Sequence, residues 1–275
     1  LETQLPNGGV PAGDEPPSTE PSVFNTGQIP LGLTRAAEET DDERYRRAVD
    51  RGARWLVAVQ HERGYWDRFD YRATVHTYAS RIAWALVRAG DLTNEPAFHD
   101  AAQDNLSWVL DNQRENGWFE RAAFSEDDDP YLHTIAYTIR GLLEGGRLLD
   151  EPRFVAGARR SAAALLDRQD RDGILRGQFD ASFEPASFYC LTGNAQMAVI
   201  WYRLYEHTGN SRYRRAADET VRFLKTRQRL DGPPAVRGGL KGSSPIWGRY
   251  MYLRYPNWAT KFLLDALLLH DEHHE

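Results

Sequence analysis

The 275 residues are 41% hydrophobic and 12% aromatic, enough to bury one sizeable core, and the lone cysteine, Cys190, excludes an internal disulfide framework or a cysteine-built zinc cluster. A formal charge of -6 at pH 7, with no basic stripe, argues against a nucleic-acid partner, because a phosphate backbone selects for clustered Lys and Arg. No apolar run approaches the ~20 residues needed to span a bilayer, so the chain reads as soluble, with the cytoplasm as the preferred compartment.

Residues 1–22, rich in Pro, Gly, Glu and Ser and without periodicity, read as an extended or disordered N-terminal arm, and residues 23–275 as a single domain. Past the arm, two kinds of helix alternate. Greasy segments around 26–38, 76–89, 133–147 and 193–207 each precede an amphipathic one, and a fifth greasy segment covers 257–269. The amphipathic segments repeat in one register: YRRAVDRGARWLVAVQHERGYW from Tyr45, FHDAAQDNLSWVLDNQRENGWF from Phe98, FVAGARRSAAALLDRQDRDGIL from Phe154 and YRRAADETVRFLKTRQRLDGPP from Tyr213. Each opens on an aromatic ring and carries a glutamine (Gln60, Gln113, Gln169, Gln228) followed by a glycine (Gly64, Gly117, Gly173, Gly232). The glycine is expected to end its helix in a left-handed cap. Short turns such as TDDE, TNEP, LDEP and TGNS join each greasy helix to its successor, so the unit is a helical hairpin. Hairpins with one buried and one half-exposed helix bury the greasy row best by closing, which predicts an all-α fold, an (α/α) toroid or barrel of repeated hairpins, over an open solenoid.

The stretches WLVAVQHERGYW and WVLDNQRENGWF resemble the Gln-Trp repeats of the squalene-cyclase and prenyltransferase α/α-toroid superfamily. The hairpin plan is also similar to that of toroidal polysaccharide lyases, uronyl C5-epimerases and six-hairpin glycosidases. The resemblance covers most of residues 23–269 and implies about nine to twelve helices. It does not extend to chemistry: the cyclases' Asp-x-Asp-Asp donor has no match, since SEDDDP at 125–130 has another spacing, and a thioester signature is missing around Cys190 and Gln196.

If the greasy helices run one way, their starts share one end, gathering Asn25, Gln28, His76, Tyr78, Arg81, His133, Tyr137, Asn194, Gln196, Asn257 and Lys261. Long aromatic connections at 66–76, 119–133, 177–194 and 241–258 lead there and add Trp247, Arg249, Tyr250 and Tyr255, with Trp118 at the junction just before the second. Each has a plain alternative. Asn25, Thr192 and Asn257 can be helix caps, His76 and His133 satisfied core histidines, Glu126–Asp129 a solvated loop, Cys190 an inert thiol. Arg81 is more telling, because a guanidinium on an apolar helix must find a partner.

These residue types suit proton abstraction at C5 of a uronic-acid polysaccharide, by a lyase or C5-epimerase, in which the sugar carboxylate is neutralised and a base and an acid flank the ring. His133 or His76 is the expected base, Tyr137, Tyr250 or Tyr255 the proton donor. Asn25, Gln28, Tyr78, Arg81, Trp118, Asn194, Gln196, Trp247, Arg249, Asn257 and Lys261 are the expected substrate binders. The similarity to toroidal lyases and epimerases implies the same assignment. The alternatives are a glycoside hydrolase using two of Asp70, Asp127, Asp129, Asp180 and Glu184, a terpene-cyclase or prenyltransferase relative, and a non-catalytic glycan-binding toroid. An oligosaccharide or polysaccharide partner is expected, and no cofactor or metal.

Overall fold

The computed structural model describes residues 2–13 and 19–274; Leu1 and residues 14–18 of the expected arm lie outside them. Nine α-helices are present among the described residues: α1 (Val23–Thr40), α2 (Glu43–Ala58), α3 (Ser80–Thr93), α4 (Pro96–Asp111), α5 (Leu132–Leu148), α6 (Pro152–Leu166), α7 (Leu191–Thr208), α8 (Ser211–Arg227) and α9 (Asn257–Glu272). The only paired strands there are β1 (Tyr189–Cys190) and β2 (Ser243–Ser244), antiparallel. Odd-numbered helices are the greasy ones and even-numbered the amphipathic ones. In α7 thirteen residues are buried, whereas α8 buries one stripe: Tyr213, Ala216, Ala217, Thr220, Val221, Phe223 and Leu224.

The chain forms two compact units. The first holds residues 1–113, 119–126 and 140–158. Here α1 pairs with α2 and α3 with α4, and α1 packs on α3. Arg81 in the first turn of α3 bonds Gln28 early in α1, while Arg88 bonds Glu38 near both C-termini, so the two greasy helices run the same way. Ser22 caps α1 by accepting from the Asn25 amide, and Asp42 caps α2 through Arg44.

The second unit holds residues 114–118, 127–139 and 159–275. Gln196 in α7 and Phe262 in α9 both meet His133 at the start of α5, and the far ends of α7 and α9 meet through Tyr202 and His270. Three greasy helices therefore start together here too. Cys190 is the N-cap of α7, its Sγ accepting from Gly193 N. Burial pushes that thiol up to about 12, so it is inert at neutral pH.

The repeat glycines are not the helix caps expected of them: α2 is capped at Val59 and α8 at Gln228. Helices α2 and α8 end before Gln60 and Gln228, and the glycines lie in the turns that follow. Gln60 Nε2 donates to the Gly64 carbonyl and to the Ala101 carbonyl of the next amphipathic helix, each at 2.9 Å. Gln169 does the same to Gly173 and Ala216, and Gln113 reaches Gly157. Gly64 sits at φ +88 with its Cα pressed on the next helix, where an added Cβ would lie 2.5 Å from the Asp104 carbonyl oxygen. The glycine thus permits a positive φ and a close approach between helices. The same device occurs inside the expected arm: Gln4 donates to Gly8 and to Ala48 of α2, and Gly8, at φ +95, abuts Arg51.

Candidate functional site

In the second unit, His133 occupies the second position of α5 and is 6% exposed. Tyr137, one turn on, brings its ring centroid to 4.4 Å from the imidazole, and Tyr250 from the long 241–258 connection to 5.2 Å. Gln196 in α7 sets its amide nitrogen 2.6 Å from His133 Nδ1, and its Oε1 is buried without a hydrogen-bond partner. Tyr250 is held by Trp258, whose indole N–H donates to the phenol oxygen at 3.0 Å, and by Tyr131, at 5.4 Å between centroids. Burial lifts the Tyr250 phenol well above its ordinary range, so it is a neutral hydroxyl at physiological pH.

Beside this cluster, Arg249 lies 3.7 Å from Asp128 and 3.4 Å from the amide oxygen of Gln178, with 65% of its side chain exposed. Gln178 is buried and donates to the Asp129 carbonyl at 2.7 Å. Glu126 to Asp129 are exposed, as a solvated acidic loop would be.

Other expected residues of this unit stand elsewhere. Asn194 is buried with its amide clamped on Leu175 N and O and on the Cys190 carbonyl. Trp118 is buried edge-on to Phe183. Trp247 is 66% exposed, Asn257 is exposed at the first position of α9, and Tyr255 lies against Gly239. Lys261 pairs with Asp265 one turn on and lies over the Phe262 ring. Asp180 accepts from the Ser182 and Glu184 amides in a tight turn.

The first unit holds its own polar group. His76 stacks on Tyr78 at 4.4 Å, and its Nε2 meets Thr74 Oγ1 at 2.9 Å and the Tyr71 carbonyl at 3.2 Å, with a further backbone bond to Ala123. Burial holds its imidazole below the ordinary histidine range. Tyr78 is enclosed by Phe24 and Phe124. Arg81 donates to Gln28 Oε1 at 2.5 Å and lies over Trp84, while Gln28 Nε2 is buried without a partner. Asn25 donates to the Pro11 carbonyl. Asp70 accepts from Tyr71 N through Oδ1, its Oδ2 is buried and unpaired, and burial lifts the carboxyl to about 7.

Gln178 was not among the expected site residues: it carries no periodic signal, and backbone pairing of residues 130–132 with 177–179 brings it alongside.

No protein-family model matches the sequence, and no curated protein matches it. Solved structures do match, and the chain has the α/α-toroid fold. A D-mannose isomerase superposes over 99% of this chain and 77% of its own, at 14% identity and a TM-score of 0.76. An unsaturated glucuronyl hydrolase from Bacillus sp. GL1, described as responsible for glycosaminoglycan degradation, matches over 88% and 73% at 18% identity and a TM-score of 0.72. A cellobiose 2-epimerase from Bacillus thermoamylovorans covers 90% and 72% at 11% identity, with a TM-score of 0.67. No helix among the described residues is long and apolar enough to cross a membrane.

Proposed function

We propose that this chain is a carbohydrate-active enzyme that moves a proton at a sugar carbon, acting on a uronic-acid-containing glycan as a lyase or C5-epimerase. One observation carries the reading: a buried imidazole and a buried neutral phenol, His133 and Tyr250, stand 5.2 Å apart between ring centroids, with Gln196 on the imidazole. The likeness to a D-mannose isomerase, a cellobiose 2-epimerase and a polysaccharide lyase supports it.

In this reading His133 removes the C5 proton and Tyr250 supplies one, either to the departing C4 oxygen or to the opposite face of C5. Arg249 exchanges its solvated Asp128 partner for the sugar carboxylate, stabilising the charge that develops as C5 loses its proton. Gln196 governs which imidazole nitrogen reacts. With its amide N–H on Nδ1, the ring proton lies on Nε2; with the carboxamide turned through 180°, Oε1 accepts from Nδ1–H and Nε2 becomes the base. Tyr137 walls the ring. Trp247 and Trp258 offer aromatic faces to the sugar, while Asn194 holds the backbone of Leu175 and Cys190.

A second reading has its own support. Asp70 holds its proton up to about 7, as a general acid for glycoside hydrolysis needs, and glucuronyl hydrolases are among the matching structures. Incubation with acidic and neutral oligosaccharides separates the two. New ultraviolet absorbance from unsaturated uronates marks elimination, and deuterium incorporation from solvent without new ends marks epimerisation. Reducing ends without new absorbance mark hydrolysis and overturn the proton-abstraction reading, and silence on all three overturns both.

A further inference from the structure

At the C-terminal end of α9, away from the His133 group, Asp218 of α8, His270 and His274 offer ligand atoms that all lie within 4.8 Å of one another. His270 lies in the last turn of α9 and His274 just beyond the helix end, with ring centroids 4.2 Å from each other, and Asp218 faces them from α8. Asp218 Oδ1 is 3.5 Å from His270 Nδ1, and Oδ2 is 3.6 Å from His274 Nε2. Zinc with nitrogen and oxygen ligands at about 2.0–2.2 Å in a tetrahedron sets its ligand atoms roughly 3.3–3.6 Å apart. The 3.6 Å between Asp218 Oδ2 and His274 Nε2 falls on that edge length; His270 Nδ1 lies nearer the other carboxylate oxygen, 2.8 Å from the Tyr202 hydroxyl, and would exchange that contact for the ion.

Outer contacts orient the ligands as metal sites require. His274 Nδ1 donates to the His270 carbonyl at 2.7 Å, which fixes the proton there and leaves the Nε2 lone pair facing the carboxylate. Two acceptors facing each other at 3.6 Å are reconciled either by a metal ion or by a second proton on the ring. Tyr202 donates its phenol proton to Asp218 Oδ1 at 2.7 Å and holds the carboxylate in place, while Arg214, 3.8 Å from Oδ2, is the nearby cation that a metal would have to outcompete.

We infer that Asp218, His270 and His274 form a binding site for a divalent transition metal, Zn²⁺ in the first instance, that ties the C-terminal end of α9 to α8. His274 is exposed, so the ion is reached from solvent and a water takes its fourth position. The sugar chemistry proposed above makes no use of it.

The test uses the full chain, freed of metal with a chelator, dialysed and titrated with ZnCl₂ by calorimetry, with melting curves in parallel. One equivalent should bind per chain and raise Tm by several degrees, since a ligand held only by the folded state stabilises it. His274→Gln and Asp218→Asn should each weaken that binding at least tenfold, and His61→Gln in the other unit should leave it intact. His274 is exposed, so its variant folds and carries the test even if Asp218→Asn does not. Absence of zinc-dependent heat, or equal affinity in His274→Gln, would show that only a proton bridges these groups and would overturn the inference.

Discussion

The amide nitrogen of Gln196 lies 2.6 Å from Nδ1 of His133, so two greasy helices adjacent at their starts are joined at an imidazole that also touches two tyrosines. The bond gives the amide control over the ring's tautomer. Gln196→Glu puts a carboxylate on Nδ1, favours the charged imidazolium, and should move the acidic limb of the kcat/KM profile upward by about one pH unit. Gln196→Leu removes the orienting bond and should lower kcat by about 10–100-fold with little change in KM. A pH–rate profile that is identical in wild type and Gln196→Glu would show that His133 is not the titrating base.

Tyr250→Phe separates ring packing from proton donation. The phenyl ring keeps the contacts with His133 and Tyr131, but the Trp258 indole N–H loses its acceptor, at a cost of about 1–3 kcal/mol. Activity should fall about 10²–10⁴-fold while the chain remains folded. If activity survives in a variant whose urea midpoint has dropped as expected, the donor lies elsewhere, and Tyr137 is the next residue to replace.

The turns that follow the amphipathic helices invite a comparison of two substitutions one bond apart. Gln60→Leu deletes donors to Gly64 and Ala101, yet the Gly64 carbonyl keeps its bond from Asn105 at 2.8 Å, so the loss should be near ~1 kcal/mol. Gly64→Ala must hold an L residue at φ +88 and push the backbone of Asp104 away, for which about 2–3 kcal/mol or more is expected. Urea denaturation ranks them. Equal midpoints would mean that the turn relaxes freely and that the repeat glycine has no close-packing role.

The hairpins were legible because their signal is redundant: four ring-to-glutamine-to-glycine registers reinforce one another, and burial in α7 against a single stripe in α8 follows from composition alone. The Gln4–Gly8 turn went unread since it has the glutamine and glycine without the amphipathic helix that marks the others, although its contacts to Ala48 and Arg51 are those of the repeat. In the candidate site, His133 and Tyr137 could be paired from helical spacing. Tyr250 could only be placed in a loop, and its position against His133 depends on how the twelve residues between β2 and α9 fold, which no periodic pattern encodes. Asn194 has the side-chain type of a ligand binder, but a sequence does not reveal that both ends of its amide meet the backbone of Leu175.

Asp70 links stability to pH in a direction opposite to that of a salt-bridged carboxylate. Its folded pKa, about 7, lies above the 3.8 of an exposed aspartate, so between those values the folded chain binds a proton that the unfolded chain releases. The stability conferred by the neutral carboxyl is complete below about pH 4 and is lost as pH rises toward 7, where the buried Oδ2 must carry charge without a partner. Asp70→Asn keeps the oxygen that accepts from Tyr71 N and stays neutral at every pH. Its Tm should therefore exceed the wild-type value at pH 8 and approach it near pH 4. Parallel Tm curves for the two proteins across that range would mean that Asp70 ionises normally. The same variant decides its chemical role: a general acid for hydrolysis cannot be replaced by an amide, whereas an enzyme working through His133 and Tyr250 should keep its rate within a few-fold.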